Sequence, residues 1–344
     1  MCIRESMETM RAIIRRAKES GISAIIAADM AAILYAREIG QEVHISTQVN
    51  VSNAAAVRFY AQFADVMVLA RELNMDQVAE ISRVIREEKI CGPAGKLVGL
   101  EMFCHGALCM AVSGKCYMSL HEMNSSANRG ACNQICRRSY TVRDRESGEE
   151  LDIENQYIMS PKDLKTIHFL NKMIDAGVTV FKIEGRARGP EYVYETVKCY
   201  SEAIDAILAG EFTEERIAGW EERLKKVFNR GFWNGYYLGE RLGEWSAKYG
   251  SSATRVKRYV AKAIRYFSKI GVGEFFMEAG ELKVGDEIVI TGPTTGAIIT
   301  KVEELRFDLR PVDKVEKGQL FSMPVPAKVR PSDRLYLWAE TNLA

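Results

Sequence analysis

Four cysteines, Cys109, Cys116, Cys132 and Cys136, follow one another as C-x6-C-x15-C-x3-C within 28 residues of a 344-residue chain. Thiolates are soft ligands that suit Zn²⁺ or iron–sulfur clusters, and four of them complete either a tetrahedral zinc site or a [4Fe–4S] cluster. The spacing lacks the short paired knuckles usual for structural zinc. It therefore favours an iron–sulfur cluster and leaves Zn²⁺ as the alternative. Gly106, Gly114 and Gly130 allow the chain to turn closely around such a centre. The plain alternative is a set of inert core thiols. Their concentration in a polar, glycine-rich stretch argues against it.

Other reactive groups lie nearby in sequence. Cys104 and His105 invite a thiolate–imidazole nucleophile. Neighbouring residues on a strand point to opposite faces, however, so the two side chains are poorly placed to pair. The nucleophile-elbow, zinc-protease, P-loop and dinucleotide patterns are absent. Cys2, Cys91 and Cys199 have no companions at ligand spacing. Arg129, Arg137 and Arg138 flank the third and fourth cysteines, Lys115 lies between the first two, and Lys182, Arg186 and Arg188 fall in KIEGRAR. If brought together, these cations form a patch for a phosphate backbone or a carboxylate; if not, they are a solvated basic surface. The loop bearing Phe232, Trp233, Tyr236 and Tyr237 offers faces on which bases stack, or else packs on the protein.

An alternation of short apolar runs and helical patterns must position these groups. Strands are expected at 22–28, 42–49, 65–70, 97–103 and 178–183, and helices at 7–18, 30–39 and 75–87, with another beginning near Pro161. Short buried strands separated by helices imply a parallel sheet. Each strand ends in polar residues: Asp29; Ser46, Thr47, Gln48 and Asn50; Arg71 and Glu72; Glu101 and His105; Lys182, Glu184 and Arg186. The carboxyl edge of a parallel sheet is where such folds build their sites. Taken singly, these residues read equally well as turn and cap residues. The segment SYTVRDRESGEELDIENQYIMS suggests a hairpin, and amphipathic helices are expected at 191–208 and 214–228. Beyond about residue 250 the pattern changes to short strands and tight turns, predicting a small all-β barrel. The expected division is 1–248 and 249–344.

Bulk properties exclude little. The formal net charge is +1, with 27% charged and 47% hydrophobic residues. Overall charge is thus no argument for nucleic acid, although a local patch would suffice. Eight cysteines could staple a secreted domain, but the size of the chain and the clustering of four of them point to a cytoplasmic protein. No signal-like or membrane-length apolar run is present.

STQVNVSN at 46–53, LARE at 69–72, EMFCHGALCMAVSGKCYMS at 101–119, NRGACNQICRRSY at 128–140 and KIEGR at 182–186 resemble peptidase family U32. The resemblance runs over nearly the whole chain and implies a TIM-like (β/α) barrel with an added C-terminal β domain. The family begins with three strands that have no counterpart here, so the expected fold is α/β, an incomplete TIM-like barrel. In the RNA- and ubiquinone-hydroxylating branches, four cysteines corresponding to Cys109, Cys116, Cys132 and Cys136 bind a [4Fe–4S] cluster. The nearest branch implies hydroxylation of a tRNA wobble uridine with prephenate as co-substrate; another acts on a cytidine of 23S rRNA. In this reading Glu101, His105 and Glu184 handle protons, while Arg137, Arg138, Lys182 and Arg186 hold phosphate or a small carboxylate donor. The alternatives are a collagenase-like peptidase with a metal site, or a non-catalytic RNA-binding remnant.

Overall fold

Polar residues that close each strand also start the next helix, and this sets the order of elements. The computed structural model describes residues 3–127, 130–141, 143–148, 157–248 and 250–341. α1 (Ile3–Glu19) leads into β1 (Ala24–Ala27), α2 (Met30–Glu38), β2 (Glu42–Ile45), α3 (Ala54–Tyr60), β3 (Val66–Val68), α4 (Met75–Glu87) and β4 (Gly99–Ala107). Asp29 accepts bonds from the Ala31 and Ala32 amides at the start of α2, and Asn53 does the same for Ala56 in α3. Asn74 and Gln77 form a reciprocal capping box on α4. Asp29 is therefore a cap, the plainer of its two readings. The helix α3 has no counterpart in the expected elements, because its run AAAVRFY is too short to show a period.

β1, β2, β3, β4 and β6 (Val178–Glu184) lie side by side in parallel, and β1 and β6, at the two ends, do not pair with each other. The sheet is α/β in its alternation and is not closed into a full barrel. One face carries Val43, Ile45, Met67, Leu100, Met102 and Cys104, all at or near zero exposure. The other carries His44, Val66, Val68, Glu101 and Lys182, placed in register by the strand pairings.

Between β4 and β6 the chain forms α5 (Met118–Met123), β5 (Asp163–Lys165) and α6 (Leu170–Asp175). The helix expected near Pro161 is thus only the short α6. The residues before it form β5, which pairs antiparallel with the end of β4. The hairpin expected from SYTVRDRESGEELDIENQYIMS falls partly outside the described residues, at 142 and 149–156.

After β6 come α7 (Pro190–Leu208) and α8 (Glu214–Lys226), and then β7 (Phe232–Trp233), which pairs parallel with β5. Tyr237 follows; it is fully buried, and its hydroxyl donates to the Phe103 carbonyl at 3.0 Å. Tyr237→Phe is expected to cost about 1 kcal/mol in chemical denaturation, the usual net value of one buried hydrogen bond.

The molecule divides into two compact units, Met1–Glu184 with Arg230–Gly250, and Gly185–Asn229 with Ser251–Ala344. This differs from the linear boundary at 248. α7 and α8 pack on each other, with the Arg223 guanidinium donating to Glu195 and Glu202 and the Trp220 indole N–H donating to Glu202, and Glu191 of α7 pairs with Lys257 at 2.7 Å. That packing assigns both helices to the second unit.

The second unit also holds an eight-stranded antiparallel sheet running from Arg255 to Glu340. Its strands share one apolar core that includes Val260, Phe275, Met277, Ile288, Phe321 and Leu335. The end strands, Gly296–Lys301 and Arg310–Val312, do not pair with each other. The helical content expected to vanish beyond residue 250 does so.

Candidate functional site

The end of β4 delivers the chain to Cys109, and the loop from there to α5 carries Cys116. A second loop, closed by a one-turn helix at Ile135–Arg137, carries Cys132 and Cys136. All four cysteines line one cavity of about 280 Å³, together with Thr47, Gln48, Ser113, Ser119 and Glu184. None is in a disulfide. The spacing alone could not bring the two pairs together; the returning loop does.

Buried anchors hold both loops. The Arg71 guanidinium donates to the Ala111 carbonyl at 3.1 Å, and Thr47 meets Ser113 at 3.4 Å. The Asn133 amide donates to the Ser119 hydroxyl at 3.1 Å, and Ile135 is buried beneath the second loop. The Arg137 guanidinium bonds the Leu108 carbonyl, the Ser160 hydroxyl and the Pro161 carbonyl. Arg137 therefore clasps the root of the Cys109 loop to the segment preceding β5. This corrects its expected role as a substrate ligand, because carbonyls already occupy its fork. Arg137→Lys cannot reproduce that fork and is expected to cost about 2 kcal/mol. Amide exchange at residues 108–112 would report the loosening.

The four thiols also sense one another. Burial pushes the Cys136 thiol up; Arg137 opposes this, and Cys109, Cys132 and Cys116 each push it further. Four thiolates cannot share such a space without a balancing cation, which is what a metal centre supplies. The donor set and its common cavity thus fit a four-thiolate centre. Among the described residues no three His, Cys, Asp or Glu side chains are gathered closely enough to grip an ion.

Beside the cavity, Glu101 sits on β4 with its carboxylate nearly inaccessible. Its Oε1 accepts from Lys182 Nζ at 2.6 Å and its Oε2 meets His44 Nδ1 at 3.1 Å. Burial pushes the Glu101 carboxyl up, but the bonds from His44 and Lys182 outweigh it and hold the group below the ordinary carboxylate value. The hydrogen bond to Glu101 raises His44 above the ordinary imidazole value against the opposing effect of burial.

Of the residues singled out from sequence, Glu184 lines the cysteine cavity, while Glu101 and Lys182 are joined in this adjoining network. His105 is buried elsewhere, its ring 5.6 Å from that of Phe232, and does not line the cavity. Cys104 is fully buried with its thiol pushed far up by desolvation, so it packs rather than reacts. Arg138 is exposed beside Cys136's loop, Arg186 lies in the second unit, and Arg129 is outside the described residues. In the aromatic loop Trp233 and Tyr237 are buried, whereas Phe232 and Tyr236 are only partly so. His44 escaped the sequence reading. The only signal for it was its position in EVHIST, two residues before Ser46 and hence on the same side of the strand.

Parallel α/β winding with a cysteine-lined cavity defines an α/β protein whose sheet is not closed into a full barrel. The chain belongs to peptidase family U32, which it matches over residues 1–247. It is 68% identical over 332 residues to a collagenase of Porphyromonas gingivalis, covering 96% of this chain and 80% of that protein. It is 30% identical over 296 residues to a tRNA hydroxylation protein of Bacillus subtilis, covering 84% of this chain and 67% of that protein. To a 23S ribosomal RNA 5-hydroxycytidine synthase of Escherichia coli it is 33% identical over 250 residues, which is 71% of this chain and 36% of that protein. Both peptidase-named and RNA-modifying proteins are thus among its relatives. No helix among the described residues is long and apolar enough to cross a membrane.

Proposed function

We propose that Cys109, Cys116, Cys132 and Cys136 hold an iron–sulfur cluster and that the chain takes part in hydroxylating an RNA base, with uridine of a tRNA anticodon loop as the target. The observation that carries this reading is the single cavity lined by all four free cysteines. When bound, the cluster supplies redox chemistry that side chains lack. The chain's own residues do the rest. Arg71 and Arg137 hold the loop that carries Cys109. Glu184 faces the cavity and is placed to accept or return a proton. Arg138 offers an exposed cation to phosphate or to a small carboxylate such as prephenate. An anticodon-loop base reaches such a cavity more readily than one in a duplex, because it leaves its stack at lower cost.

The collagenase of P. gingivalis, at 68% identity, favours a second reading, a metal-dependent peptidase. Cys104 is buried and His105 lies away from the cavity, so these two do not form a nucleophile and base. Peptide hydrolysis would instead need water on a metal held by fewer than four thiolates.

Three measurements on anaerobically purified protein separate the readings: iron, zinc and acid-labile sulfide content; hydroxyuridine in tRNA from cells lacking or carrying the gene; and release of peptides from denatured collagen. Iron with sulfide and restored hydroxyuridine supports the RNA reading. Zinc without sulfide, together with collagen cleavage abolished in Cys109→Ala, replaces it with the peptidase.

A further inference from the structure

The hydrogen bonds around Glu101 extend in both directions. Lys182 Nζ lies 2.6 Å from Glu101 Oε1, Glu101 Oε2 lies 3.1 Å from His44 Nδ1, and His44 Nε2 lies 3.4 Å from Glu42 Oε1. The Glu101 side chain is 4% exposed, His44 20%, and Glu42 46%. Four ionisable groups thus form a line in which Glu101 is the most buried, with Lys182 on one side of it at 22% exposure and His44 and Glu42 on the other. His44 and Glu101 meet across β3, whose residues on that face are only Val66 and Val68. At the other end of the line, Lys182 is two residues before Glu184 on β6, on the same face of the strand, and Glu184 lines the thiol cavity. The flanking strands AIIA of β1 and VMV of β3 bring no titratable group to this face. Glu42 from its own strand, Glu101 from β4, and Lys182 behind Glu101 are thus the charged groups that face His44.

We infer that Glu42, His44, Glu101 and Lys182 form one coupled protonation unit that ends at Lys182, two residues from the Glu184 that lines the thiol cavity, with His44 as its proton store. When Lys182 gives up a proton toward Glu184, the His44 imidazolium passes one through Glu101 to Lys182. Solvent then restores His44 by way of Glu42. One proton has moved and every group ends as it began. Glu101 never needs to hold charge alone, because a cation stands on each side of it. Only the destination of the proton rests on the reading of the thiol cavity as a catalytic centre.

The test follows the His44 imidazole by NMR in the intact chain, its signal assigned by its loss in His44→Gln. In a coupled unit, Glu101→Gln lowers the His44 midpoint by removing the carboxylate, and Lys182→Met raises it by removing the competing cation. A His44 midpoint indifferent to both changes overturns the inference. The second readout is the pH profile of hydroxyuridine formation in the cluster-loaded protein. His44→Gln should lower turnover about a hundredfold, in the range of a lost proton-transfer group, and remove the limb belonging to His44. An unaltered profile in that variant also overturns the inference. If the wild-type protein forms no hydroxyuridine yet His44 shows both opposed shifts, the RNA reading fails and the coupled unit stands.

Discussion

Cys109→Ala and Cys136→Ala should each lose bound metal almost completely, whereas Cys104→Ser and Cys199→Ser should keep it. The four cysteines of the cavity come from two loops held by separate anchors. Removing one ligand leaves the others charged and crowded, and a four-thiolate centre then loses both a bond and the balance of charge that held it. Cys104 and Cys199 are buried, and the loss of solvation pushes their thiols up, Cys199 to about 12; neither lines the cavity. Their conversion to serine puts an unwelcome hydroxyl into a core and lowers stability without touching the metal. Metal and sulfide content set beside the thermal midpoint separates the two behaviours. Metal retained at wild-type level in Cys136→Ala would remove the four-thiolate assignment.

The second large effect concerns Glu101. Glu101→Gln leaves Lys182 and His44 facing each other without the carboxylate between them. Breaking a buried ion pair by removing one partner costs about 3–5 kcal/mol. Both partners are about one-fifth exposed, so solvent screening brings the expected loss down to about 2–3 kcal/mol. The loss should depend on pH in a definite direction. Glu101 is held below its ordinary value, so its contribution is present above the unfolded carboxyl range and fades as pH falls through its folded value. His44 is held above its ordinary value, so its contribution is full below about pH 6.5 and fades as pH rises through its folded value. The two overlap on the mildly acidic side. Urea titrations of the wild type and of Glu101→Gln should therefore differ more near pH 5.5 than near pH 8. An equal difference at both values would show that His44 takes no part in the pairing.

Periodicity and end signals carried most of the first unit. The strands at 42–45 and 178–184 and the helix Met75–Glu87 follow from apolar runs bounded by polar caps. These are local properties, expressed within a few residues of one another. The four-thiol cluster was legible for the same reason, since its cysteines fall within one short segment. The sequence also suggested a parallel sheet with too few strands to close, and β1 and β6, which pair with β2 and β4 but not with each other, agree with it.

Tertiary structure decided the rest. Arg137 looked like a free cation beside two cysteines, and only the return of residues 160 and 161 beside Leu108 turned it into a clasp. The short pairing of β5 with β4 and β7 joins segments about sixty residues apart in sequence, with no periodic signal in either. α7 and α8 fell within the expected first division, and the pairing of Glu191 of α7 with Lys257, together with the packing of α8 on α7, places them in the second unit. His44 was one polar residue in a strand until strand register set it opposite a carboxylate 57 residues away. Residue types thus determined which chemistry was available. Which groups share a proton, and which are spent on holding the fold, depended on contacts between distant segments, and those contacts exist only once the chain has packed.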